Sequence, residues 1–156
     1  MIRAWRLLKK RYTADAFNGE GARFHGGRWS SPGYPAVYVS QSLSLATLEI
    51  LVHLPSRSPL AAYVVFDVEF PEECVDEFDT TELPANWRDY PAPPETRALG
   101  NAWLREGSRA VLRIPSAITP AEFNFLINPA HPDFSRFRIH GPRPYRFDSR
   151  LLGPNA

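Results

Sequence analysis

With 156 residues, 44% hydrophobic and 13% aromatic, the chain carries the apolar mass of one folded domain, which excludes an intrinsically disordered protein. A net charge of +1 excludes bulk electrostatic capture of nucleic acid, and no run approaches the roughly 20 apolar residues that cross a bilayer. The single cysteine, Cys74, allows no internal disulfide, and no apolar stretch follows the basic start Met1 to Tyr12, so a cytoplasmic protein is expected.

Sixteen prolines against nine glycines predict short elements, because proline removes a backbone donor and stops helices. Ile2 to Leu7 alternates imperfectly (Ile2, Ala4 or Trp5, Leu7) and predicts a first strand. Thr13 to Pro35 is rich in glycine, serine and aromatics, with Gly19, Gly21, Gly26, Gly27 and Gly33, and reads as a functional loop rather than an element. Ala36 to Ser40 predicts a short buried strand. Ser42 or Ser44 then caps a helix reaching about Leu54, where Pro55 stops it. Leu60 to Val68 is β-branched and aromatic enough for a central strand, and Cys74 to Phe78 reads as another. Thr80 to Pro94, with four prolines, predicts a surface excursion, and Glu95 to Glu106 a second helix ending at Gly107. Ala110 to Ile114, Phe123 to Ile127 and Phe137 to Phe147 read as further strands. Several short strands, two helices and no regular βαβ alternation indicate a single α+β domain over residues 1–156.

The charges are unevenly placed. Asp67 to Glu95 holds ten acidic residues and one arginine, Arg88. The first thirty residues carry seven of the basic ones, including Arg3, Arg6 and Arg28, and the tail carries Arg136, Arg138, Arg143, Arg146 and Arg150. If the two ends meet, they form a basic face suited to an anion such as a pyrophosphate; structural ion pairs account for the same arginines one by one.

Glu49 is the most informative residue. It is the only acidic residue between Ala36 and Phe66, on a helix face shared with Leu45, Leu48 and Val52, all expected to point inward. A carboxylate on an apolar face needs a partner or a task, and the residues alone leave both open. Arg28 sits within Gly26-Gly27-Arg28-Trp29-Ser30, where glycine lets backbone approach a ligand and arginine offers a planar fork for phosphate. Tyr38, mid-strand, offers a flat face with a polar tip, although a strand tyrosine also serves as core. Ser116 follows a predicted strand and can reach a cleft or simply form a turn. Asn128-Pro129 and His131-Pro132 are turn formers, so His131 is expected to anchor a loop. The chain lacks Gly-x-Gly-x-x-Gly, a Walker loop, a cysteine pair and a nucleophile elbow, and His25, His53, His131 and His140 lack metal-ligand spacing.

Taken together, Gly27-Arg28-Trp29, Tyr38-Val39-Ser40, the Ser44 to His53 helix with Glu49, Ser116 and Asn128-Pro129-x-His131-Pro132 resemble the RES domain family, toxins of bacterial toxin–antitoxin pairs named for their Arg, Glu and Ser. The resemblance covers roughly Ala22 to Asp133. It implies an ADP-ribosyltransferase-like α+β fold with short, mainly antiparallel strands, acting on NAD as substrate without a metal. Carried over by residue, Arg28 is the Arg, Glu49 the Glu and Ser116 the Ser, with Tyr38 as aromatic partner. Glu49, Arg28 and Tyr38 would then be catalytic, and Gly27, Arg28, Tyr38 and Ser116 would hold the dinucleotide. Ser30 stands where many relatives have Asn, a change that would alter ligand contacts without removing the core chemistry.

The implied reaction is cleavage of the nicotinamide–ribose bond by water or phosphate, depleting NAD and arresting growth, with transfer of ADP-ribose to a protein as the alternative. A non-enzymatic or nucleic-acid-binding module ranks below both. The implied partner is a cognate Xre-type helix-turn-helix antitoxin that blocks the active-site cleft, so that nucleic acid is met only through it. The expected contact surface is the glycine-rich loop with the basic rim, in a homodimer or a toxin–antitoxin hetero-oligomer.

Overall fold

The computed structural model describes residues 1–55 and 61–153. Among these residues seven strands, β1 (Ile2–Lys9), β2 (Val37–Ser40), β3 (Tyr63–Phe70), β4 (Val75–Glu77), β5 (Val111–Pro115), β6 (Phe123–Ile127) and β7 (Arg138–Tyr145), form one sheet in the order β4-β5-β6-β2-β1-β3-β7. β4 and β5 run parallel and every other neighbouring pair is antiparallel. With three helices, α1 (Glu20–His25), α2 (Leu43–Leu51) and α3 (Pro94–Glu106), this is the α+β class expected. The predicted start of β3 at Leu60 lies outside the described residues.

Side chains alternate across a strand, and the two faces of the sheet bury different clusters. On one face Ala4, Val37, Val39, Val68, Phe70, Val111, Phe125 and Ile127 form the largest core cluster, closed from outside by Phe134 and Phe137. On the other, Leu7, Tyr63 and Val65 pack with Ala46 of α2, while Leu112, Ile114 and Leu126 pack with Trp103 of α3 and with Trp29. The two helices therefore cover neighbouring parts of one face. β7 is an exposed edge, where Pro142 and Pro144 remove donors that would otherwise template another strand.

Three local readings change. The stretch from Thr13 to Pro35 contains α1, bracketed by Gly19 and Gly26 at positive φ and supported by the Arg23–Glu20 pair one turn apart. On α2 the inward residues are Leu45, Ala46 and Thr47, while Leu48 and Val52 are exposed; the helix lies on the sheet along a face rotated from the expected one. The basic ends do meet, since β1 and β7 flank β3, and part of their charge is paired with the acidic stretch of the sequence: Arg3 and Arg143 with the buried Asp67 and Arg136 with Glu73.

Candidate active site

Between α2, α3 and the sheet lies a cavity of about 670 Å3, within the usual range of small-molecule sites. α2 begins two residues after β2, capped by Ser42 Oγ accepting the Leu45 N–H at 3.1 Å, and this tight entry carries Glu49 over the ends of β5 and β6. Glu49 is half-buried. Its Oε1 accepts from Ser116 Oγ at 2.9 Å and from Asn124 Nδ2 at 2.6 Å. Asn124 is held in turn, its Oδ1 accepting from Ser40 Oγ at 2.7 Å. Among the described residues nothing bonds Oε2, so one carboxylate oxygen is anchored and the other is open to the cavity that Glu49 lines.

Ser116 is fully buried. Its hydroxyl donates to Glu49 and accepts the N–H groups of Ile118 and Thr119 at 3.1 and 3.2 Å. It stands behind the carboxylate, with its hydrogen bonds already committed.

Arg28 reaches the cavity from the glycine-rich loop. Its Nη1 donates to the carbonyls of Trp87 and Asp89 at 2.8 and 2.7 Å, which fixes the fork while leaving its other edge free. Burial lowers the guanidinium's pKa, partly offset by the charges of Glu49 and Asp89. Thr96 Oγ1 and Arg97 Nε of α3 bond the carbonyls of Arg28 and Gly27 at 2.7 and 3.1 Å, so the helix holds the loop's backbone.

Tyr38 lines the same cavity, but its hydroxyl is occupied, accepting the Trp29 N–H at 3.1 Å and hydrogen-bonding with the Ser30 hydroxyl at 2.7 Å. Burial pushes its pKa up to about 12, and it stays neutral at physiological pH. A Cβ on Gly27 would stand 2.6 Å from this hydroxyl, so glycine is required for the loop to rest on the ring. Ser30, fully buried, is the residue that pins Tyr38. His131, set apart from this cavity, caps a turn through Nδ1, which accepts the Asp133 N–H at 3.1 Å.

Pattern in the sequence does not single out Arg6, Arg97 or Asn124 as site residues. Arg6 is enclosed in the cavity wall, donating from Nη1 to the Tyr38 carbonyl at 2.9 Å; its Nε is buried with no partner among the described residues. Burial pulls its pKa down to about 10, and it remains a cation at neutral pH. β1 and β2 share one register pair, Trp5 opposite Ser40, and Arg6 supplies the carbonyl's hydrogen bond that a longer ladder would have made. The available signal was an arginine in the otherwise apolar even-numbered row Ile2, Ala4, Arg6, Leu8 of β1.

Among the described residues the charged lining of the cavity is thus Arg6, Arg28, Arg88 and Arg97 against one carboxylate, Glu49, with His53 two residues past α2. Among the described residues no group of His, Cys, Asp and Glu could hold a metal ion, and no helix is long and apolar enough to cross a membrane.

Fold and site define an α+β domain built around a nucleotide-sized, cationic cavity with one anchored carboxylate. Residues 3–148 match the RES domain, and the chain belongs to that family. It is 37% identical to "Toxin Res" of Yersinia enterocolitica over 148 residues, covering 94% of this chain and 97% of that protein. It is likewise 37% identical to the "Prs ADP-ribosylating toxin" of a Sphingobium strain, covering 95% of each. In structure it resembles a chain of the M. tuberculosis MbcT–MbcA toxin–antitoxin complex, with a TM-score of 0.73, 19% identity and coverage of 92% of this chain and 83% of that one.

Proposed function

We propose that this RES-family toxin cleaves the bond between nicotinamide and ribose in NAD, with water or phosphate as acceptor. The observation that carries the reading is a single carboxylate, held by two donors on one oxygen and, among the described residues, free on the other, in a cavity whose other charged residues among those described are four arginines. Such a lining suits a ligand with a pyrophosphate beside a centre that becomes positive.

As the C1′–N1 bond breaks, its electron pair passes to the pyridinium nitrogen, nicotinamide leaves as a neutral molecule, and positive charge develops on the ribose. Glu49 Oε2 stabilises that oxocarbenium-like state. A neutral leaving group needs no general acid, so the role of Glu49 is electrostatic and not proton donation. Water or phosphate then adds to C1′, losing a proton when water is the acceptor, to give ADP-ribose or its 1-phosphate. Arg28, with Arg6 and Arg97, holds the phosphates and the nicotinamide-side ribose. Tyr38 lends its ring as a wall, and its hydroxyl keeps the Gly27 to Ser30 turn in place. Gly27 lets the backbone approach the dinucleotide. Ser116, expected from the family resemblance to touch the substrate, acts here through Glu49. The test is to incubate the purified chain with NAD, with and without phosphate, and to follow nicotinamide release by chromatography. Release lost in Glu49→Ala supports the reading; no release, or equal release by the variant, overturns it.

The name of the Sphingobium relative favours a second reading, in which the same oxocarbenium is captured by a protein nucleophile. Labelled NAD would then mark a macromolecule in lysate, and NAD loss without labelling would reject this version.

We also infer an antitoxin partner, of the Xre helix-turn-helix type implied by the resemblance, that covers the cavity mouth at the glycine-rich loop. The fold shared with a toxin–antitoxin complex supports a partner of this kind. Co-expression that yields neither a complex nor relief of growth arrest would count against it.

A further inference from the structure

Glu49 stands on α2, but the donors that fix its Oε1 come from other elements, and one of them is itself fixed. Ser40 of β2 and Asn124 of β6 are directly opposite in the register of those strands, so their side chains lie side by side on one face of the sheet. Both line the cavity. Ser40 also pairs with Trp5 of β1 and Asn124 with Ile114 of β5, which sets the two in the interior of the sheet. Gln41 fixes the register just beyond them: its N–H donates to the Phe123 carbonyl at 3.1 Å and its Oε1 accepts the Phe123 N–H at 2.7 Å. The pair is therefore carried on paired strands rather than on a loop, the more precise support for a site.

The two ends of the Asn124 amide are chemically different, and its neighbours distinguish them. A carboxylate oxygen accepts and so does an amide oxygen, so Glu49 is met by Nδ2, which lies 2.6 Å from Oε1. Oδ1 is thereby turned to Ser40, whose Oγ donates to it at 2.7 Å. Among the described residues Ser40 is the one donor to Oδ1. The last torsion of an asparagine is soft by itself, and half a turn would set Oδ1 against Oε1, acceptor against acceptor. With the buried Ser40 donating, each polar atom from Ser40 through Asn124 to Oε1 has the partner that its chemistry requires. Without that hydroxyl Oδ1 loses its partner, and the amide can turn and take Nδ2 off the carboxylate.

We propose that Asn124 and Ser40 are positioning residues of this site: Asn124 sets which oxygen of Glu49 faces the cavity, and Ser40 sets which end of the Asn124 amide faces Glu49. The role rests on the NAD reading of Glu49 given above. Ser116 holds Oε1 from the turn after β5 and Asn124 holds it from the sheet, and two bonds from different elements fix the plane of a carboxylate as one does not. Oε2 is then held toward the ribose before positive charge develops there, which is the preorganisation that lowers the barrier. Ser40 acts only through Asn124.

Steady-state nicotinamide release by the purified full chain, with NAD varied, tests this on wild type, Ser40→Ala, Ser40→Thr and Asn124→Leu, together with the Asn124 side-chain amide signals in proton–nitrogen NMR spectra recorded without NAD. Asn124→Leu keeps nearly the same shape but loses a bond to a charged group, so kcat should fall by about ten- to hundredfold. Ser40→Ala loses a bond between neutral groups, so kcat should fall by about two- to tenfold. KM for NAD should stay within about twofold in both, and Ser40→Thr, which keeps the hydroxyl, should recover kcat. The Asn124 amide signals should move in Ser40→Ala and return in Ser40→Thr. Wild-type kcat or unmoved amide signals in Ser40→Ala would overturn the inference, as would a rise in KM as large as the fall in kcat, or a loss that Ser40→Thr does not recover. Amide signals that follow Ser40 as expected, in a wild-type chain that releases no nicotinamide, would count against the cleavage reaction and leave the link from Ser40 through Asn124 to Glu49 standing.

Discussion

Ser116→Ala separates a residue that acts through Glu49 from one that touches the substrate. The substitution removes the hydroxyl that donates to Oε1 at 2.9 Å and leaves Asn124 Nδ2, at 2.6 Å, as the remaining anchor. A hydrogen bond to a charged group is worth about 1.5–3 kcal/mol. If half to all of that serves to hold Oε2 where positive charge develops, kcat falls by about 4- to 150-fold. KM for NAD stays within about twofold, because Ser116 is fully buried behind the carboxylate. Two backbone N–H groups, those of Ile118 and Thr119, also lose their acceptor, at about 1–3 kcal/mol in total if water reaches one of them. Melting should therefore drop by several degrees, since about 2–4 °C accompanies each kcal/mol in a domain of this size. Steady-state nicotinamide release on wild type, Ser116→Ala, Glu49→Gln and the double variant checks the argument. In the Glu49→Gln background Ser116→Ala should cost less than about threefold more, because both changes disable one unit. A rise in KM larger than the fall in kcat, or fully multiplicative effects, would refute the positioning role and return Ser116 to the substrate.

Glu49→Gln itself keeps an acceptor for Ser116 and Asn124 while removing the charge. One charge at about 4 Å in a partly screened site is worth about 4 kcal/mol, so kcat should fall by about a thousandfold with Tm nearly unchanged; retention of a tenth of wild-type kcat would exclude the electrostatic role. Gly100→Ala would set a Cβ 1.6 Å from the Trp29 carbonyl oxygen. α3 must then shift away from the loop that it holds through Thr96 and Arg97, with Tm lower by about 3–10 °C and KM for NAD raised; an unchanged melting curve would contradict that packing. Arg6→Met trades a buried cation for an apolar stem. The relieved desolvation and the unpaired Tyr38 carbonyl oppose each other, so Tm should stay within a few degrees while kcat/KM for NAD falls by about ten- to hundredfold. Burial lowers Arg6 from the ordinary arginine value to about 10, so between the two the unfolded chain binds the proton that the folded chain has lost, and stability rises with pH there. Below about pH 10 both states are protonated, the burial cost is constant, and wild type and Arg6→Met should show parallel stability–pH curves through neutrality; curves that diverge between pH 6 and 8 would contradict this assignment.

The elements were legible because their signals are short-range. Ser42 and Pro55 bracket α2, Gly107 closes α3 with its N–H on the Trp103 carbonyl, and β2, β5 and β6 fall within a residue or two of the apolar runs that predict them. Glu49, Arg28 and Tyr38 were legible for a different reason: each is an unusual residue for its local context, and the ordered motifs around them resemble one family. All three line the same cavity.

Local pattern along the chain sets the α+β class, the order of elements and the residues whose chemistry is out of place where they stand. Tertiary structure decided their partners, because the decisive contacts join residues far apart in the chain: Ser116 and Asn124 reach Glu49 across 67 and 75 positions, and no local periodicity carries that information. The same holds for charge. Arg3 and Arg143 look available in a list of residues, yet both end on Asp67 once β3 lies between β1 and β7. Arg6, which reads as an interruption in a strand, becomes a cavity cation because β1 and β2 meet at a single pair and its side chain takes the place of the missing ladder.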